Sequence, residues 1–131
     1  MTRLALLALL GLSLFLGTNA QAQTLTEVRT QLQAALQRSH SRSMMDGALP
    51  HLDLTTGQLT KFYPTENHEI ILKMDEVYVM CATLLGPDGK EVPVDYYISQ
   101  SEGRYGVIRT EINNRTPLKA LMDAGRATRL E

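Results

Sequence analysis

What the chain lacks narrows its chemistry before anything it contains. It carries one cysteine, Cys81, in 131 residues, no tryptophan and two phenylalanines. A lone cysteine excludes an internal disulfide, so the fold must be held by packing alone. Lys and Arg number 13 against 14 Asp and Glu. Without a basic excess there is no electrostatic footprint for nucleic acid or an anionic membrane. Also missing are HExxH, histidines at i and i+4, CxxC, GxxxxGK[ST] and the GxSxG elbow. No cofactor or metal site is therefore expected from motif spacing.

The one long apolar run lies at the start. Thr2-Arg3 is a short basic stretch, Leu4 to Leu16 is apolar apart from Gly11 and Ser13, and Ala20-Gln21-Ala22 offers small residues for cleavage. As a helix that run rises about 20 Å, short of a hydrocarbon core of roughly 30 Å. Residues 1–22 are thus expected to be a cleaved signal peptide, leaving 23–131 as a single soluble domain, periplasmic or secreted. Removing the leader removes Arg3 and no acid, leaving 12 basic against 14 acidic residues and a formal charge of −2.

The densest β-branched and aromatic stretch organises the remainder. Val77 to Leu85, the turn Gly86-Pro87-Asp88-Gly89 and Lys90 to Ile98 read as a hairpin with a type I turn and Gly89 in the left-handed conformation. The expected register sets Thr83 opposite Val92, Cys81 opposite Val94, Val79 opposite Tyr96 and Val77 opposite Ile98, with these residues facing the core. The reverse face would then hold Tyr78, Met80, Ala82 and Leu84 against Tyr97, Asp95, Pro93 and Glu91.

Ahead of this hairpin, Thr24-Leu25-Thr26-Glu27 has the form of a capping box. Leu25, Val28, Leu32, Ala35 and Leu36 follow at helical spacing. Asp46-Gly47 ends that helix, whose last residues around Ser39 to Ser43 lose apolar content. Leu49–Leu54 and Leu59–Tyr63 read as an edge hairpin, Pro64–Asn67 as a loop, and His68–Met74 as a strand. Ser101-Glu102-Gly103 turns into a last strand, Arg104–Ile112, with Tyr105 and Val107 on one face and Ile108, Thr110 and Ile112 on the other. Thr116 is expected to cap a short helix with Pro117 at its first position, which Gly125 stops. The sum is an α+β fold: an amphipathic N-terminal helix on an antiparallel meander of about five or six short strands, then a short C-terminal helix. In shape it resembles the curved sheet wrapped around a helix in cystatin-like folds, without motif residues to support a family.

Candidate chemistry is sparse. Cys81 lies mid-strand between Met80 and Ala82, where a cysteine behaves as a small hydrophobe more often than as a nucleophile. His40, His51 and His68 lack ligand spacing. Met44, Met45, Met80 and Cys81 with a histidine would form a soft Cu(I) set only if the fold gathered them. Asn114-Arg115-Thr116 matches a glycosylation sequon, and Arg109, Glu111, Asn113, Asn114 and Arg115 form a polar strand end. Two short helices must cover two partly apolar sheet faces, and an uncovered remainder would be a patch too large for an ordinary monomer surface. The expected role is therefore a non-enzymatic binding or assembly module, with Tyr78, Met80, Leu84, Tyr97 and Ile108 facing a protein partner, a second copy or a small apolar ligand. The alternative is a small thiol-dependent enzyme or soft-metal binder using Cys81 with His51 or His68.

Overall fold

The computed structural model describes residues 23–131, so the expected signal peptide, 1–22, lies outside the described residues. The capping box forms as the sequence predicts. Glu27 N–H donates to Thr24 Oγ1 at 3.2 Å and Thr24 N–H donates to Glu27 Oε2 at 2.8 Å, opening helix α1 (Leu25–Ser43). Its stripe of Val28, Leu32, Ala35 and Leu36 is buried. Among the described residues no helix is long and apolar enough to cross a membrane.

The strands are β1 (Leu49–Asp53), β2 (Gln58–Met74), β3 (Val77–Leu85), β4 (Glu91–Ser101), β5 (Arg104–Ile112) and β6 (Thr128–Arg129), with α2 (Thr116–Asp123) between β5 and β6. They form an antiparallel sheet in the order β1-β2-β3-β4-β5, and β6 adds to the far end of β2. The fold is α+β, with one helix on each side of a meander. The expected Pro64–Asn67 loop is instead part of the 17-residue β2. Two irregularities, between Pro64 and Glu66 and between Asn67 and Ile71, absorb it. The β1 ladder stops at Phe62, so Pro64 has no strand on that side to which its missing N–H would be lost.

The central hairpin has the expected turn and a different register. Gly86 N–H donates to the Lys90 carbonyl at 2.8 Å and Gly89 N–H to the Gly86 carbonyl at 3.1 Å, with Gly89 at φ 76°. Gly89 is the extra residue of the bulge, so Gly86 pairs with Lys90 and every later pair moves by one. Leu84 faces Val92, Ala82 faces Val94, Met80 faces Tyr96 and Tyr78 faces Ile98, whereas Cys81 faces Asp95 and Val79 faces Tyr97. A one-residue slip exchanges the partner sets of the two faces. In β5, a second bulge between the Tyr97 and Ile98 partners makes Ile108 the unpaired residue. Tyr105, Val107 and Ile112 consequently all join one cluster, which corrects their expected division between faces.

Two cores result. On the first face, α1 lies over Tyr78, Met80, Ala82, Leu84, Val94, Tyr96 and Ile98. On the second, Leu118 of α2 and Ala127 lie over Leu72, Val79, Cys81 and Tyr97. Helix α2 begins one residue earlier than expected. Arg115 is its N-cap, without a side-chain capping bond, and Thr116 is already helical.

Candidate functional site

The second face is where the fold leaves chemistry and surface uncommitted. α2 has eight residues and a helix rises about 1.5 Å per residue. It therefore covers the Leu72–Val79–Tyr97 end of the face and leaves the other end open. At the covered end, cross-strand pairing aligns Cys81, Asp95 and Glu111 in one row across β3, β4 and β5. Asp95 is fully buried. Arg115, at the start of α2, brings Nη2 to 3.2 Å from Asp95 Oδ1. The contact is an ion pair without hydrogen-bond alignment, since neither carboxylate oxygen of Asp95 has a hydrogen-bond partner among the described residues. Glu111 is held separately by Arg109 Nε at 2.6 Å and Asn114 Nδ2 at 3.0 Å.

This setting disarms the cysteine. Burial, and then the Asp95 carboxylate beside it, push the Cys81 thiol up to about 12. A thiol that far up is protonated at neutral pH and is neither a nucleophile nor a ready metal ligand. The histidines do not reach it either. His51 rests against Phe62 with ring centroids 6.1 Å apart, on the α1 side of the sheet. His68 Nε2 is engaged with Thr83 Oγ1 at 2.9 Å, and His40 Nε2 lies 3.0 Å from the Tyr96 hydroxyl. The suggested copper set does not converge: Met80 belongs to the α1 core, Cys81 to the α2 core, and Met45 is exposed.

The five residues expected to share one docking face do not share a surface. Tyr78, Met80 and Leu84 are buried under α1, Tyr97 is buried under α2, and Ile108 alone is exposed, at the edge strand. The register explains the difference, because the reverse face of β3 is the face that α1 covers.

The open surface lies instead at the β1–β2 end of the second face. There Leu52 pairs with Leu59, Pro50 with Lys61, and Tyr63 with Leu85. Leu52 is 52 % exposed, Leu59 62 % and Tyr63 44 %, with Leu54 at 89 % in the adjoining turn. An open groove of about 840 Å³ runs between this hairpin and the β3–β4 turn, lined by Leu59, Lys61, Tyr63, Leu85 and Pro87. Among the described residues Lys61 supplies its one charged side chain. The sequence carries a partial signal for this surface, namely leucines on the outward phase of an edge hairpin. For Asp95 the signal is a single charge inside the apolar run Val92–Ile98. Comparison with family models, with curated proteins and with solved structures found no match for this chain.

Proposed function

We propose that the protein is an exported, non-enzymatic binding module whose groove takes an extended apolar segment of a protein partner. The observation that carries this reading is the exposed run Leu52–Leu59–Tyr63, continued by the half-buried Leu85, beyond the end of α2. Contiguous exposed apolar surface is characteristic of interaction sites. The groove's openness favours a peptide over a small apolar ligand, because small-molecule sites enclose about 70–90 % of their ligand. Lys61 favours a segment carrying an acidic residue within its apolar pattern. Export rests on the leader-like residues 1–22. A thiol-dependent role has weaker support, given a buried, protonated Cys81.

Selection of peptides from a displayed random library against residues 23–131 tests this. Selected peptides should alternate apolar residues around an acidic one. They should lose about tenfold or more in affinity with Leu59→Asp or Tyr63→Asp, consistent with losing a central apolar contact, and be indifferent to Ile108→Asp. Peptides insensitive to both groove substitutions would contradict the assignment. A dimer seen by sedimentation and dissolved by Leu59→Asp would assign the groove to a second copy instead.

A further inference from the structure

At the opposite corner of the sheet, beside the β4–β5 turn, a cleft of about 500 Å³ separates α1 from the start of β5. Arg38, Arg42 and Arg104 line it, together with Gln31, Gly103 and Tyr105. Arg109, Arg115 and Arg126 elsewhere each pair with a carboxylate, whereas these three, like Arg29 and Arg129, do not among the described residues; what sets the three apart is that they share one cleft. Arg38 is held in place by donating from Nη2 to the Tyr105 carbonyl at 3.3 Å, which leaves most of its guanidinium donors free. Gln31 accepts from Gln23 through Oε1 at 3.4 Å, so its own amide hydrogens remain to donate.

Ordinary helix chemistry accounts for part of this arrangement. A cation in the last turn of α1, as Arg42 is, complements the carbonyl end of the helix dipole. That does not explain Arg38 one turn earlier, since like charges at i and i+4 repel. Nor does it explain Arg104, delivered to the same cleft from another element. Three guanidiniums converge without a counter-charge among the described residues, in a chain whose acids outnumber its bases.

We infer that this cleft is a binding site for a small polyanion, a molecule bearing two or more phosphate or sulfate groups. Guanidinium donors match tetrahedral oxyanions in pairs, and the cleft's volume falls within the range of small-molecule sites. One oxyanion would be shared by Arg38 and Arg42, which lie on neighbouring turns of one helix face, and a second would reach Arg104 and the Gln31 amide. The site is independent of the apolar groove.

Titrating residues 23–131 with inorganic pyrophosphate, and separately with a sulfated disaccharide, at ionic strength matched with sodium chloride, tests the inference by amide shifts in two-dimensional NMR. Saturable shifts at Ala34, Gly103, Arg104 and Tyr105 are expected. Affinity should fall about tenfold for each of Arg42→Gln and Arg104→Gln, the loss of one charge-assisted contact. Both side chains are exposed and without a partner among the described residues, so unchanged thermal midpoints should accompany the loss. Whichever probe binds tighter identifies the source as phosphate- or sulfate-bearing. Shifts that never saturate, that chloride alone reproduces, or that survive both substitutions would overturn the proposal. So would tighter binding of oligoglutamate than of either probe, which would mark an acidic-peptide surface.

Discussion

Asp95 puts a carboxylate, stripped of solvent, in the middle of an otherwise apolar sheet face, with Arg115 as its counter-charge and Cys81 as its cross-strand neighbour. Removing one member of a buried pair costs more than the pair contributes, because it strands the other charge. Arg115 is 45 % exposed, which reduces that penalty through solvent screening. Arg115→Leu is therefore expected to destabilise by about 1–3 kcal/mol in urea unfolding. Asp95→Asn should cost less, and in the Arg115→Leu background it should restore stability, since no buried charge remains. A loss that is merely additive in the double variant would show that Arg115 acts through α2 packing and not through Asp95. Cys81 gives a second check at this scale. With its thiol near 12 in place of 9.0, the thiolate fraction at pH 8 is lower by about a thousandfold. Native labelling with an aromatic disulfide reagent should be slower than that of the unfolded chain by at least that factor, because burial adds to it. Labelling at the unfolded rate would restore the case for a reactive cysteine.

The elements were legible in the sequence to different depths. The capping box and the 3.6-residue stripe specify α1 locally, and both partners of the box lie within four residues of each other. The Pro-Asp-Gly signal likewise specified the β3–β4 turn. Register was harder to read, since it depends on whether the bulge glycine counts as a ladder residue, and one position moved Tyr78, Met80 and Leu84 from a supposed surface into the α1 core. Pro64 reads as a loop because proline breaks ladders, and nothing local to it says that the pairing with β1 stops two residues earlier, at Phe62. The contact of α1 with β4 carries a pH dependence. His40, in the last turn, is partly buried against the Tyr96 hydroxyl, and burial lowers its pKa below the usual 6.5. The unfolded chain therefore takes up this proton first. Its contribution is complete above pH 6.5 and is lost as pH falls from there toward the folded value. Asp53, lowered mainly by the Thr55 amide, adds a loss only as pH falls below about 3.8. Urea midpoints measured from pH 7.5 to 5 should decline in the wild type and flatten in His40→Gln. An equal decline in both would assign the effect elsewhere.

At the scale of the whole molecule, one sheet serves two helices of unequal length. α1 spans 19 residues and α2 spans eight, so the first face is covered and the second is covered over part of its area. Apolar surface stays open at Leu52, Leu59 and Tyr63. Its location could not be read without the register, because the surface lies on β1, β2 and the end of β3, not on the central hairpin's reverse face. The groove and the arginine cleft sit at opposite corners, which would allow a peptide and a polyanion to be held together. The proposed binding of an extended peptide at the uncovered end of the second face is tested most directly by an amide-shift titration of residues 23–131 with a library-selected peptide. Shifts concentrated at Gln58–Tyr63 and Leu85–Gly89 are expected, and they should disappear in Tyr63→Asp. Shifts centred on the Arg38–Arg104 cleft, or on Ile108 and the β5 edge, would contradict it.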